Sequence, residues 1–310
     1  MASGITNLYA RPQTRRAFVQ ALGVGACSLL GCMRHAFVPD AAHGFVARQI
    51  VSRRGTHKYW VYRPTQHMPA PAQKWPIILY LHGGGERGQD GLAPTQVGIG
   101  PAVQAMLGFF PFIVVFPQCD DGAFWAQPEM AQRAMEALQT TIRDFNGDPE
   151  RVYLTGNSLG GSGTWLLPLR YPGRFAALAP ICGGVRPPPW IRIPKGERLI
   201  DLDGDPYASL AQKLGRTPVW IFHGADDFLV PVSESRRMAA ALRQQGGIVR
   251  YTEWPGVGHA AEEPTYADPA FFEWLLKQRL GQPSPDADAA SAAPAAPLLT
   301  SRPVSPHPVF

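Results

Sequence analysis

Residues 151–165 read RVYLTGNSLGGSGTW, and this stretch decides the fold. An apolar run leads into GNSLG at residues 156–160, and small residues then open a helix. A serine at the turn from a strand to a helix, with glycines two positions before and after it, is typical of a nucleophile elbow. In such a turn the serine backbone is strained, and the glycines allow the strand and the helix to approach closely. The stretch therefore predicts that Ser158 stands exposed above a parallel sheet.

The Gly-x-Ser-x-Gly pattern is weak on its own, because 32 of the 310 residues are glycine. Its context is more specific. Residues 152–154 predict a short buried strand, and three further glycines allow a helix to pack behind the serine. The alternative is a glycine-rich turn in which Ser158 is incidental.

The partners that a serine nucleophile needs follow later in the chain, the acid before the histidine, as the elbow architecture requires. Residues 218–222 (PVWIF) predict a buried strand that leads into HGADDFLVP, where Asp227 is the preferred acid. A predicted helix and strand then lead to His259, the predicted general base, in the loop PGVGH. Asp226 is the alternative acid, and either aspartate could instead turn or cap the loop.

The oxyanion of a tetrahedral intermediate needs preorganised donors, and the sequence offers two. The backbone N–H of Leu159 directly follows the nucleophile at the start of the helix. Residues 75–88 (WPIILYLHGGGERG) predict a strand that breaks into a glycine run, and the N–H of Gly84 is the predicted second donor. Such a run can also cradle phosphate, but the sequence lacks the dinucleotide fingerprint and the phosphate-loop Lys-Ser/Thr ending. His82 and His223, each between a strand and a glycine, are predicted to orient loops.

Four segments together resemble the α/β-hydrolase fold: LHGGGERG, ERVYLTGNSLGGSGTW, RYPGRFAALAPICGG and HGADDFLVP. More narrowly, they are similar to the esterase and predicted-peptidase group related to prolyl oligopeptidase, which is phospholipase/carboxylesterase-like. The resemblance extends over about residues 44–280. It implies the same functional set, with Ser158 as nucleophile, Asp227 as acid, His259 as base, and Gly84 and Leu159 as oxyanion donors. Asn157 and Leu159 depart from the residues that such elbows often carry, His, Leu or Phe at the first position and Met at the second.

The alternating strand and helix patterns predict one α/β catalytic domain over residues 44–281, with a mostly parallel sheet and helices on both faces. Residues 44–63 hold two extended stretches, FVARQIV and HKYWVYR, which predict an N-terminal antiparallel hairpin. Further strands are predicted at residues 112–116 and 175–181, and an amphipathic helix at residues 129–145.

The connection over residues 183–216 is longer than usual, and we expect it to help cover the site. Trp125, in the loop after the strand at residues 112–116, is a predicted substrate-binding residue, although aromatic side chains more often pack in the core. Cys119 and Cys182 both follow predicted strands, and a disulfide between them is an open alternative. The sequence indicates no metal site and no cofactor.

The N-terminus predicts export. TRRAFVQ at residues 14–20 matches the twin-arginine pattern, and the apolar stretch after it is too short to span a bilayer. LLGC at residues 29–32 resembles a lipoprotein cleavage site, which would place a lipid anchor on Cys32. The alternative is ordinary cleavage shortly after Met33 without a lipid. The predicted location is therefore periplasmic, membrane-anchored or secreted, with residues 1–32 as signal and 33–43 as linker.

Charge and composition argue against nucleic-acid binding and indicate a disordered C-terminal segment. Without the signal, the formal charge of +5 falls to +2, and no basic stripe with interleaved aromatics supports nucleic-acid binding. Residues 282–310 are rich in Pro, Ala and Ser and predict a disordered tail.

The sequence therefore predicts an exported serine hydrolase that cleaves carboxylic esters, small or polymeric, through an acyl-enzyme. A prolyl-oligopeptidase-type peptidase is the alternative enzyme, but the chain is short for the propeller domain that gates such sites. A non-catalytic exported binding protein is the alternative from another class, and the intact Ser158, Asp227 and His259 set argues against it. The sequence leaves the acyl group and the oligomeric state open.

Overall fold

A twisted sheet positions every loop of interest. The computed structural model describes residues 39–52, 55–65, 74–186, 202 and 204–287. Within these residues, eight strands form one sheet in the order β1-β2-β4-β3-β5-β6-β7-β8. The strands are β1 (Phe45–Ser52), β2 (Gly55–Tyr62), β3 (Trp75–Leu81), β4 (Ile113–Phe116), β5 (Gly147–Asn157), β6 (Ala177–Ile181), β7 (Val219–Gly224) and β8 (Val249–Trp254).

Strand directions divide the sheet into a small antiparallel part and a larger parallel part. β1 pairs with β2 in antiparallel register from Phe45↔Tyr62 to Ser52↔Gly55, and β2 pairs antiparallel with β4. All remaining neighbours, from β4 through β3, β5, β6 and β7 to β8, are parallel. The predicted N-terminal hairpin and mostly parallel sheet are confirmed.

Helices cover both faces of the sheet, as predicted. They are α1 (Ile99–Ala105), α2 (Pro128–Asp144), α3 (Leu159–Arg170), α4 (Pro206–Leu214), α5 (Ser233–Gln244), α6 (Glu262–Ala267) and α7 (Pro269–Leu276). Alternate residues of β3 face opposite sides. Ile77 and Leu79 join the core under α2, α3, α4 and α5, whereas Ile78 and Tyr80 join the core under α1, α6 and α7. Both faces of the parallel strands are therefore buried.

Most predicted elements agree with the observed ones to within two residues at each end, but the short strand predicted at residues 152–154 is longer and spans Gly147–Asn157. The strand predicted at 112–116 is Ile113–Phe116, and the helix predicted at 129–145 is Pro128–Asp144. The long connection over residues 183–216 contains α4, which the sequence analysis did not predict. Residues 187–201 and 203 of this connection lie outside the described residues.

The ends of the chain bear on the predicted domain limits. Residues 1–38, with the predicted export signal and Cys32, and residues 288–310 lie outside the described residues. Residues 282–287, which the sequence analysis assigned to the tail, are described, and Trp274 Nε1 donates to Asp286 Oδ2 at 2.6 Å. Contacts to the domain thus continue beyond the predicted limit at residue 281. Of the helices described here, none is both long and apolar enough to cross a membrane.

The carboxyl ends of the parallel strands meet at one edge of the sheet. The glycine run follows β3, Ser158 follows β5, the aspartate loop follows β7, and the His259 loop follows β8. β3 and β5 are direct neighbours, with Leu81 opposite Gly156. Open parallel sheets bind ligands at this edge. The sheet therefore collects the predicted site residues in one place.

Candidate active site

The turn between β5 and α3 has the geometry that its glycines predict. Ser158 has φ 53° and ψ −113°, a conformation that L-residues rarely adopt. A Cβ on Gly156 would lie 2.3 Å from the carbonyl oxygen of Leu81, and a Cβ on Gly160 would lie 1.8 Å from the same oxygen. Only glycine fits at either position. The Ser158 N–H donates to the carbonyl of Ile181 at 2.9 Å, which fixes the turn against β6.

Ser158, His259 and Asp227 form a continuous hydrogen-bonded chain. Ser158 Oγ lies 2.7 Å from His259 Nε2, and His259 Nδ1 lies 2.7 Å from Asp227 Oδ2. In the neutral ring, Nδ1–H donates to the carboxylate, and Nε2 is left to accept the serine proton. Asp226, the alternative acid, is exposed to solvent and takes no part in this series of hydrogen bonds.

The carboxylate of Asp227 is buried and held from several sides. Its Oδ1 accepts hydrogen bonds from the N–H groups of Leu229 and Val230, each at 2.9 Å. Burial acts to raise the pKa of Asp227, but the hydrogen bonds from His223, His259 and the Val230 N–H outweigh it and hold the pKa well below its usual value. Asp227 is therefore ionised near neutral pH.

The acid loop and the histidine loop pack backbone against backbone. A Cβ on Gly224 would lie 2.0 Å from the carbonyl oxygen of Gly258 and 2.3 Å from that of Val257. The Asp226 N–H donates to the Val257 carbonyl at 2.9 Å. The His259 loop noted in the sequence is thus placed by main-chain contacts with the loop after β7, and Gly224 is the position where these contacts leave no room for a side chain.

The lowered pKa of Asp227 predicts a pH dependence of stability. A carboxylate whose folded-state pKa is lowered stabilises the fold fully above its unfolded pKa of about 3.9; this contribution decreases as the pH falls below that value and is lost only at the folded-state pKa. We expect the free energy of unfolding of the wild type to fall more steeply between about pH 5 and pH 3 than that of Asp227→Asn. Urea unfolding of both proteins across this range measures the difference. Equal slopes would contradict the lowered pKa.

The glycine run after β3 lies beside the serine turn. Gly84 begins a short 3-10 turn (Gly84–Glu86) and is exposed, and a Cβ on it would meet no atom within 4 Å. Leu159 is the first residue of α3, where N–H groups have no partner within the helix. The two predicted oxyanion donors thus follow neighbouring strands at the same edge, with open space next to Gly84.

The buried side chain of His82 fixes the start of this glycine run. Its Nε2 accepts from the Cys119 N–H at 2.9 Å, so Nδ1 carries the hydrogen and donates to the carbonyl of Gly83 at 2.7 Å. Burial lowers the pKa of His82 to about 4, and the ring is neutral near pH 7. His82 therefore supports the loop, the role that the sequence analysis predicted for it.

Trp125 lies in the predicted loop, but its side chain is buried and does not face an open site. Its side chain is 1% exposed, its Nε1 donates to the carbonyl of His82 at 3.0 Å, and its ring packs edge-on against the His82 ring. A Cβ on Gly163 of α3 would lie 2.6 Å from the Trp125 Cβ. The prediction of a substrate contact is corrected: Trp125 fills the space between the glycine run and α3, and no open surface remains for it to present.

Sequence reasoning missed two polar residues that hold the site. Gln118 donates from Nε2 to the Glu86 carbonyl at 2.9 Å and accepts from the Gly91 N–H at 2.6 Å, which ties the glycine run to the end of β4. Asn157 is buried and accepts from the Tyr80 hydroxyl at 2.8 Å. Both lie at or just after strand ends, and that position was the available signal.

Two cysteines and a compact polar cluster complete the surroundings. Cys119 and Cys182 are both free and buried, so the alternative of a disulfide between them is not realised. Ligand atoms of Cys182, His223 and Asp227 lie within 4.8 Å of one another. Burial raises the pKa of Cys182 to about 12, and its protonated thiol donates to the His259 carbonyl at 3.4 Å. A thiol in this state is a poor metal ligand, and hydrogen bonds already engage the other two residues.

No protein-family model matches the chain. Among solved structures, a thermostable esterase superposes with a TM-score of 0.63 at 30% sequence identity, covering 76% of this chain and 63% of that one. The chain has the α/β-hydrolase fold. The fold inferred from the four sequence segments is confirmed.

Curated relatives match the chain over shorter segments. An esterase of Caenorhabditis elegans is 30% identical over 122 residues, which are 35% of this chain and 21% of the relative. Acyl-protein thioesterase 1 of Gibberella zeae is 28% identical over 113 residues, which are 36% of this chain and 43% of the relative. The chain therefore spans less than half of either curated relative.

Proposed function

We propose that the protein is a carboxylic ester hydrolase in which Ser158 is the nucleophile, His259 the general base and Asp227 the acid. The observation that carries this proposal is the hydrogen-bonded chain from Ser158 through His259 to Asp227, with 2.7 Å at each step. The first of these three side chains belongs to a strained serine between a strand and a helix, the place where α/β-hydrolases present their nucleophile. Similarity to an esterase at 30% identity favours an ester as the substrate.

The reaction follows from the roles of these three side chains. His259 Nε2 takes the proton of Ser158 as its Oγ attacks the ester carbonyl carbon, and the carbonyl electrons move to the oxygen. Collapse of this intermediate expels the alcohol, which takes the proton from His259, and leaves an acyl group on Ser158. Water then attacks the acyl group in the same way, with His259 as the base, and releases the carboxylic acid and free Ser158. Asp227 keeps the ring in the required tautomer and stabilises the imidazolium.

The negative charge on the former carbonyl oxygen needs donors that are already in place. The N–H groups of Leu159 and Gly84 are the proposed pair. Supporting this choice, Leu159 begins α3 immediately after the nucleophile, and Gly84 is exposed on the neighbouring strand end. Loss of one such donor typically lowers kcat about 100- to 1000-fold.

We also propose that the protein is exported, through the twin-arginine pattern in residues 1–32, with Cys32 as a lipid attachment site. The Arg-Arg pair at Arg15 and Arg16 ahead of an apolar run supports export, and LLGC supports the lipid. A small or polymeric ester met outside the cytoplasm would then be the substrate. No nucleic acid and no cofactor enters this proposal.

Hydrolysis of p-nitrophenyl acetate, butyrate and octanoate tests the proposed activity. We expect turnover of at least one ester, and we expect a fluorophosphonate to abolish it while adding one adduct per chain at Ser158, located by peptide mass spectrometry. Parallel assays with p-nitroanilides of the same acids separate an esterase from a peptidase. Folded protein that neither turns over any ester nor reacts with the fluorophosphonate would overturn the proposal in favour of a binding protein.

A further inference from the structure

The mechanism above leaves one buried histidine without a role. His223 is the penultimate residue of β7 and is fully buried. Its Nε2 is 3.2 Å from Asp227 Oδ2 and 3.0 Å from the carbonyl oxygen of Val230. Its Nδ1 is 2.7 Å from the hydroxyl of Ser235, in the first turn of α5. Both ring nitrogens are therefore engaged.

The partners of His223 determine which nitrogen carries the hydrogen. Nε2 faces a carboxylate and a carbonyl, which only accept, so Nε2 must be the donor. In the neutral ring, Nδ1 then accepts, and the Ser235 hydroxyl donates to it. Ser235 is 1% exposed, so water does not compete for this bond. The other tautomer would turn a lone pair of Nε2 toward two oxygens, which is electrostatically unfavourable.

We propose that His223 is a positioning residue for Asp227: its Nε2–H, kept in that tautomer by Ser235, turns Oδ2 of the carboxylate toward His259. Oδ2 then lies next to both histidines and shares the Nε2–H of His223 with the Val230 carbonyl, while Oδ1 is held by the N–H groups of Leu229 and Val230. The carboxylate is thus fixed against rotation by four donors. This inference rests on the proposed function, since it assigns an effect on the same reaction.

The other titratable groups near the two histidines are few. Cys182 on the β6 side is a protonated thiol, because burial raises its pKa to about 12. Glu253 on β8 is paired with Arg236 of α5 at 2.6 Å. Burial raises the pKa of Glu262 on α6, and the nearby His259 acts to lower it. None of them is hydrogen-bonded to His223 in the described residues. The link from Ser235 to Asp227 therefore passes through His223.

Replacing His223 with Leu and with Gln tests the assignment. Leu removes the donor, whereas the side-chain amide of Gln can place an N–H near the position of Nε2. We expect His223→Leu to lower kcat for p-nitrophenyl butyrate about 10- to 100-fold with little change in KM, because the buried ring cannot touch substrate. We expect the midpoint of the acid limb of kcat against pH to move lower, because a rotated carboxylate stabilises the His259 imidazolium less. His223→Gln should recover most of kcat and the wild-type midpoint.

The Ser235→Ala variant tests the same proposal while the imidazole of His223 stays in place. We expect a smaller loss of kcat, about 3- to 10-fold, with the same direction of shift in the acid limb. If His223→Leu does not fold, His223→Gln and Ser235→Ala decide the question on their own. Wild-type kcat and an unshifted limb in Ser235→Ala, or unchanged kcat in His223→Leu, would overturn the inference. Wild-type protein without esterase turnover would instead refute the proposed function, and the two failures are thereby distinct.

Discussion

Replacing Ser158 with alanine is expected to lower kcat for p-nitrophenyl esters about 10⁶-fold, since removal of the nucleophile in a triad leaves only the rate due to binding and the oxyanion donors. The fold should tolerate the change, because the side chain is only half-buried and its hydroxyl bonds to His259 alone among the described residues. Active-site titration and steady-state kinetics on the same preparations measure the effect.

Ser162→Ala is the matched control. Ser162 lies one turn further along α3 and is also half-buried. The same chemical change there should leave kcat within about twofold of the wild type, because surface substitutions away from special contacts have small effects. Residual activity of Ser158→Ala within 100-fold of the wild type, after exclusion of contamination, would require a different nucleophile.

Replacing Gly160 with alanine is expected to cause the largest loss of stability of any single methyl addition near the site. Its Cβ would lie 1.8 Å from the Leu81 carbonyl oxygen and 2.4 Å from the Leu81 carbonyl carbon. Both are backbone atoms, so α3 and β3 must move apart. Overpacking of a rigid region costs about 3 kcal/mol or more, which corresponds to a fall in Tm of about 6–12 °C for a domain of this size.

Gly85→Ala is the control for this prediction. Gly85 is exposed, a Cβ on it would meet no atom within 4 Å, and its φ is not in the left-handed region. We expect its free energy of unfolding to lie within about 0.5 kcal/mol of the wild-type value. Thermal unfolding of the three proteins provides the comparison. A Tm for Gly160→Ala equal to that of Gly85→Ala would show that α3 and β3 are not in close contact.

Much of the site could be predicted from sequence because its glycine spacing and the order of its strands can both be read from the chain. The GNSLG turn needs glycine at two positions for steric reasons that involve only a few neighbouring backbone atoms, and these reasons leave a readable spacing. Asp227 and His259 follow strands, and parallel strands end at a common edge, so chain order sufficed to bring them to Ser158. The choice of Asp227 over Asp226 rested on pattern, and the hydrogen bond to His259 agrees with it.

The direction in which a loop side chain points, and the neighbours it packs against, could not be predicted in the same way. Trp125 stands in a loop, where no periodicity indicates which way a side chain points, and its indole turned out to be enclosed against His82. The bond between His223 and Ser235 joins residues twelve positions apart on a strand and a helix, and its existence depends on how α5 packs on the sheet. The contact of Asp286 with Trp274 was hidden by a composition that is typical of disorder.

The backbone of Leu81 positions the serine turn relative to the glycine run. Its carbonyl oxygen is the atom nearest to a Cβ on either elbow glycine, and the chain continues from it directly into the glycine run. Gly224 plays the matching part for the acid and histidine loops. Spacing between nucleophile, base and donors is thus set by main-chain atoms rather than by the side chains that would contact an acyl or alcohol group. Replacing side chains that line the site is therefore expected to change substrate preference without moving Ser158, His259 and Asp227 relative to one another.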